Sequence, residues 1–276
     1  MAILPGVVAS SPGYLLDGIT GAYGAYSLRQ LSGSISNVCQ CIRDSDSATQ
    51  DFTAAELTDG TLTDFGSGTT VRVKTLYDQS GSNHATQSTL LSCPSVVISG
   101  TSQLDSSGLP WMDFDGSNDF IPLNGALPNI NTGSFSSFVV GKFDGSGTSS
   151  LECMLSLGST TNSGRLFIPY VYNSDIGWGY ASTWNAITYT ADTDSHLFSA
   201  IAGSTQGDFE CWQDSTSKGT RTLASNDTGG IYGIGGLNNT WQYILDGKVQ
   251  EVIIFDSDQS ANRAAIEADI MGYYNL

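Results

Sequence analysis

Apolar and polar residues alternate through the second half of this chain in short runs, broken repeatedly by Gly, Ser and Asn. SFSSFVVGKF at 134–143, LECMLSLG at 151–158, RLFIPYVY at 165–172 and AITYTA at 186–191 each read as a strand. So do HLFSAIAG at 196–203, DFECWQD at 208–214 and YILDGKVQEVIIFD at 243–256. Strands at this spacing, with turn residues between them and no alternating helices, predict an all-β antiparallel sandwich or jelly roll. In the first half, Val71, Val73 and Leu76 predict a strand, and DQSGSNH after it supplies turn chemistry. TGAYGAYSLRQL at 20–31 sets Tyr23, Tyr26 and Leu31 on related faces and predicts a short helix. Ile266, Ile270 and Tyr274 recur every four residues and predict a terminal helix lying on the sandwich, with Ser257, Asp258 or Ser260 as its cap. Residues 1–19, with Pro5 and Pro12, read as an extended lead-in, and residues 20–276 as one sandwich domain. Residues 20–100 hold too few long strands to close a core of their own.

Composition narrows the function classes. Charged residues make up 13% of the chain, apolar residues 39%, and there are 32 glycines. That balance describes a turn-rich β protein and not a disordered one. A formal charge of −17 argues against a nucleic-acid partner, whose phosphates need a basic face. No run of about 18 apolar residues exists, so no membrane insertion is expected. The five cysteines cannot all pair, and the first residues lack a basic leader, so free thiols and no export signal are expected. Cys39 and Cys41 would share one strand face without bonding.

His84 and His196 stand apart from any cysteine ligand set, and no cofactor is expected. The one oxygen-rich candidate for Ca²⁺ is the group Asp113, Asp115, Asn118 and Asp119, a spacing that strand–turn–strand chemistry also produces.

Aromatic residues in Gly- and Asn-rich loops suggest sugar binding, because an indole or phenol ring matches the C–H face of a pyranose. Trp178, Tyr180 and Trp184 lie in DIGWGYASTW, and Trp241 in NNTWQY. With Asp192, Asp194 and Asn238 they form the candidate glycan-binding set; the alternative for the rings is the core or a subunit interface. Asp78, Gln79, Asn83 and His84 read as a loop-tying motif, since Asp, Gln and Asn bond readily to backbone. Glu251 alternates with Val249 and Ile253 and reads as structural.

Taken in order, AYSLRQL, IRDSDSATQDF, LYDQSGSNHATQ, MDFDGSNDFI and GKVQEVIIFDSDQSANRAAIEADI resemble a group of concanavalin A-like proteins common in tailed bacteriophages. The first three stretches, with GIYGIGG at 230–236, also resemble the catalytic domain of family 54 α-L-arabinofuranosidases. From about Leu109 onward the chain is similar to laminin-G-like sandwiches.

The phage resemblance implies a virion protein made in host cytoplasm, with a lectin-like sandwich on a tail fibre or capsid. It implies other virion proteins and a cell-surface glycan as partners, and a homo-oligomer, for which a trimer is expected. A purely structural subunit and a glycoside hydrolase are the alternatives. In the arabinofuranosidases the acid/base follows the Gly-Ile-Gly-Gly run, where this chain has Leu237, and Asp194 falls at the nucleophilic glutamate. A leucine holds no proton, so the resemblance implies no catalytic residues and no enzyme.

Overall fold

The computed structural model describes residues 13–123, 134–144, 151–158, 165–172, 175–180, 189–190, 192–203, 208–222, 233–236 and 243–276. Among them, two antiparallel sheets enclose one hydrophobic core, as an all-β sandwich requires.

The larger sheet is organised around the ten-residue strand Asp246–Phe255. One edge of this strand pairs with Phe135–Phe143; the other is shared between Met112–Asp115 and Ala22–Ser27. Its VIIF end is apolar on both sides, as a strand covered on two faces must be. Val252 and Ile254 enter the inter-sheet core, whereas Ile253 and Phe255 pack under the C-terminal helix Arg263–Tyr274. The register slips where Val140 and Gly141 oppose Glu251 and Val249, leaving Gln250 as the extra residue. This bulge resets the alternation, so Val249 and Val252, three apart, both enter the same core.

Beyond Met112–Asp115 the larger sheet continues through Ser95–Ile98, Val71–Leu76, Asn37–Arg43 and Thr49–Thr53. The early chain therefore extends the sheet instead of lying against it. On the other side follow His196–Ala202, Asp208–Gln213 and Thr216–Thr222. The smaller sheet orders Tyr189–Thr190, Asp175–Tyr180, Arg165–Tyr172, Glu152–Gly158, Gly233–Ile234 and Ile121–Pro122.

Three local expectations are corrected. Residues 22–27 form a strand and not a helix; a single helical turn, Leu15–Gly18, precedes them. Tyr26 enters the inter-sheet core and Ala25 the layer beneath the C-terminal helix, so burial on both faces erases the alternation that marks a strand. The C-terminal helix buries Ile266, Ile270 and Tyr274 as expected, but Asn262 stands at its N-cap, without a side-chain cap bond. Asp258 instead takes the Ser260 N–H at 2.9 Å and closes the turn before the helix.

The Gly233–Gly236 run is explained by packing. A Cβ at Gly233 would enter the Phe120 ring, and one at Gly235, whose φ is +84°, would enter the Phe114 ring. Cys39 and Cys41 are buried side by side as thiols, their sulfurs 3.7 Å apart.

Candidate functional site

Strand register builds a charged row on the larger sheet. Lys142 lies opposite Lys248, and Lys248 opposite Asp113. Two neighbouring ammoniums repel unless carboxylates separate them. Here Asp144 does so, taking Lys142 at 3.0 Å on one oxygen and Lys248 at 2.7 Å on the other, while Lys248 also pairs with Asp113. Burial works against the Lys248 charge, but Asp113 and Asp144 outweigh it and raise its pKa. Burial also opposes ionisation of Asp144, yet the two lysines hold its pKa below the usual carboxylate range.

Trp111, two residues before Asp113, carries both ammoniums near its ring, at 5.1 Å for Lys142 and 5.8 Å for Lys248. Its indole N–H is buried without an acceptor among the described residues, so packing and charge fix the ring, not a hydrogen bond.

At the end of this row, Glu152 accepts the Asp246 N–H at 3.1 Å, and the Asp144 N–H donates to the Asp246 carbonyl at 2.9 Å. Burial pushes the Glu152 carboxyl up to about 7, only partly offset by that bond. Glu152 and Asp144 thus meet the same residue, Glu152 through its carboxyl at the Asp246 N–H and Asp144 through its own N–H at the Asp246 carbonyl.

Trp111 and Lys142 form one wall of a cleft of about 320 Å³. Asp105, Thr193, Asp194 and Asn275 are among its other lining residues, bringing together a turn, a strand entry and the end of the C-terminal helix. Asp105 is fully engaged: one oxygen accepts the Ser107 and Leu109 N–H groups at 2.8 Å each, and the other accepts Gln250 at 3.0 Å.

Asp194 is not engaged in this way. Its N–H donates to Asp192 at 3.0 Å, but its exposed carboxylate has no partner among the described residues. The loop is pinned through His196, whose Nδ1 lies 2.6 Å from Asp214 and Nε2 2.9 Å from Asp192. Burial disfavours the imidazolium, yet Asp214 and Asp192 outweigh it and raise the His196 pKa. The helix end is held by a buried ion pair. Glu251 takes Arg29 at 2.7 Å, Ser27 at 2.8 Å and the Tyr274 hydroxyl at 3.1 Å.

The sequence candidates separate. Asp194 lines the cleft and Asp192 braces its loop. Trp178 does not belong there: its side chain is fully buried between the sheets, edge-on to Phe198 at 5.9 Å, so protein already covers the ring. Only the backbone of Tyr180 is described, at the end of Asp175–Tyr180. Trp184, Leu237, Asn238 and Trp241 lie outside the described residues. Trp111, Lys142 and Asn275 were not anticipated. A tryptophan closing the polar run DSSGLPW at a strand entry was the available signal.

The Ca²⁺ candidates behave as turn residues. Asp115 accepts the Ser117 N–H at 2.9 Å, Asp119 accepts the Asp115 N–H at 3.2 Å, and Asp113 faces a lysine. Asp78 is a buried knot, accepting N–H groups of Ala25, Ser80 and Asn83 and the Ser80 hydroxyl. Gln79 bonds the backbone of Ser27, Arg29 and Leu31 beside it. Asn83 donates to the Tyr23 carbonyl and His84 accepts the Asp78 N–H, so all four motif residues tie loops.

No protein-family model and no curated protein sequence matches this chain. Solved structures do. A family 54 α-L-arabinofuranosidase soaked with a cyclic sulfate inhibitor superposes with a TM-score of 0.68 at 15% identity, over 90% of this chain and 62% of that one. An arabinofuranosidase complexed with arabinofuranosyl-α-1,2-xylobiose gives 0.66 at 16%, over 92% and 63%. Trypanosoma rangeli sialidase with its inhibitor DANA gives 0.51 at 11%, over 72% and 31%. This chain thus spans less than two thirds of the arabinofuranosidase chains.

The expectation of no enzyme is corrected by these matches. It rested on Leu237, whereas the solved structures named above are arabinofuranosidases and a sialidase, all glycoside hydrolases. At such identities the likeness establishes the fold: a concanavalin-like β-sandwich of the kind found in glycosidases.

Proposed function

We propose that this chain engages glycans in the cleft beside Trp111, as part of a bacteriophage particle. The observation that carries the glycan reading is the pairing of a charge-braced indole with an unengaged carboxylate in one polar cleft. An indole stacks on sugar C–H groups with few rotors to freeze, and carboxylate and hydroxyl groups orient sugar hydroxyls. The shared fold with arabinofuranosidases and a sialidase supports the same reading. Virion placement is supported by the sequence resemblance, which also motivates the virion partners and the trimer. Linked copies turn weak single contacts into avidity. Testing the full chain against an array of bacterial surface glycans should give saturable binding to a defined set; no binding to any glycan would overturn the reading.

A second reading, cleavage of a glycosidic bond, is supported by the fold shared with arabinofuranosidases and a sialidase, with Glu152 as the candidate acid because burial pushes its carboxyl up to about 7. Glycosidases of the two-carboxyl type need one acid that holds its proton and one group that does not. In this reading Glu152 donates to the leaving oxygen. Glu152→Gln should then reduce turnover of a natural glycoside about 10²–10⁴-fold and affect an activated aryl glycoside far less. Equal turnover of the natural glycoside by both proteins would remove Glu152 from that role.

A further inference from the structure

We infer that the cleft beside Trp111 selects glycans by charge, favouring amino sugars over neutral ones and rejecting uronic and sialic acids. The inference rests on the reading of this cleft as the glycan site.

Each cation near the rim is already bound. Lys142 is held by Asp144, Lys248 by Asp113 and Asp144, and Arg29 by Glu251 and Asp269. His196 lies between Asp192 and Asp214. Against these, Asp194 presents an exposed carboxylate with no partner among the described residues, in a chain of formal charge −17. A sugar carboxylate entering here meets like charge at Asp194, and the cation on the cleft wall, Lys142, is already paired with Asp144 at 3.0 Å. A hexosamine meets the reverse: its ammonium pairs with Asp194 while its C–H face lies on Trp111. Neutral sugars fall between, gaining the stacking and hydroxyl hydrogen bonds to Asp194 but no ion pair.

Four ligands test this by titration calorimetry on the full chain: a glucosamine tetramer, its N-acetylated counterpart, tetragalacturonate and sialyllactose. An exposed ion pair at contact distance is worth about 1 kcal/mol in water, so the glucosamine tetramer should bind about fivefold more tightly than the acetylated one at low salt. The advantage should shrink toward nothing at ~1 M salt. Asp194→Asn should abolish it, bringing the two tetramers to equal affinity. Asp64→Asn, at an exposed position on the helix Thr61–Gly66, controls for general attraction to an acidic protein and should leave the advantage in place. Acidic ligands binding as tightly as the acetylated tetramer, or a preference that survives Asp194→Asn, would overturn charge selection while leaving glycan binding standing. Failure of all four ligands to bind would overturn both.

Discussion

Two acidic loops of this molecule use the same residue types to opposite ends. In the Asp78–His84 segment the carboxylate is buried and takes four donors from three residues. In the Asp192–His196 segment, Asp192 braces His196 and the Asp194 N–H, but the Asp194 carboxylate stays open to solvent at a cleft. The first loop is closed within the protein. The second is rigid at its base and unfinished at its tip, as a binding loop on a scaffold must be. The lesson is that a conspicuous acidic motif marks where backbone must be tied down, whereas a site keeps polar groups that the fold does not need.

Breaking the closed loop should produce the largest effect. Asp78→Ala leaves the Ala25, Ser80 and Asn83 N–H groups without their acceptor, and each lost buried partner costs about 1–3 kcal/mol. Urea unfolding should report a loss of roughly 4 kcal/mol in total. A loss below about 1 kcal/mol would mean that the knot is dispensable.

Glu251→Leu comes next, because it strands Arg29 in a buried setting, with only Asp269 left to pair. Breaking such a pair costs about 3–5 kcal/mol, and the surviving partner places this case near the lower end. Unfolding curves of Glu251→Leu and Arg29→Met together would separate loss of the pair from loss of packing.

The open loop should respond to pH. His196 has its folded-state pKa raised by Asp214 and Asp192. Its contribution is therefore complete below the unfolded value of about 6.5 and is lost as pH rises through the folded value. Melting temperatures should fall across that window in the wild type and stay flatter in His196→Gln. Identical profiles would remove the imidazolium from the loop's support. The smallest effect belongs to Asp194→Asn, expected within about 0.5 kcal/mol of wild-type stability because no described contact depends on it.

The same contrast explains what the sequence revealed. Strands such as Phe135–Phe143 and Asp246–Phe255 were legible because β-branched and aromatic runs end at turn residues. Ala22–Ser27 was not, because Ala25 and Tyr26 bury on opposite faces and leave no alternation. Trp178 resembled a loop residue because glycines flank it, yet it sits mid-strand with its ring turned inward. Gly233–Gly236 resembled a catalytic signature, and close packing on Phe114 and Phe120 demands two of its glycines whatever the chemistry. The cleft was hidden for a different reason. Register across three strands brings Lys142 and Lys248 to Trp111, and the helix end delivers Asn275 from the far end of the chain. No local pattern encodes that meeting.

If Trp111 is the surface on which a sugar rests, removing its ring must weaken binding. Titrating wild type and Trp111→Ala with the best glycan from the array tests it most directly, with melting temperatures recorded to confirm that both are folded. Binding by Trp111→Ala should be at least about tenfold weaker, a loss of ~1.4 kcal/mol. Unchanged affinity in a folded Trp111→Ala protein would contradict it and move the site elsewhere on the sandwich.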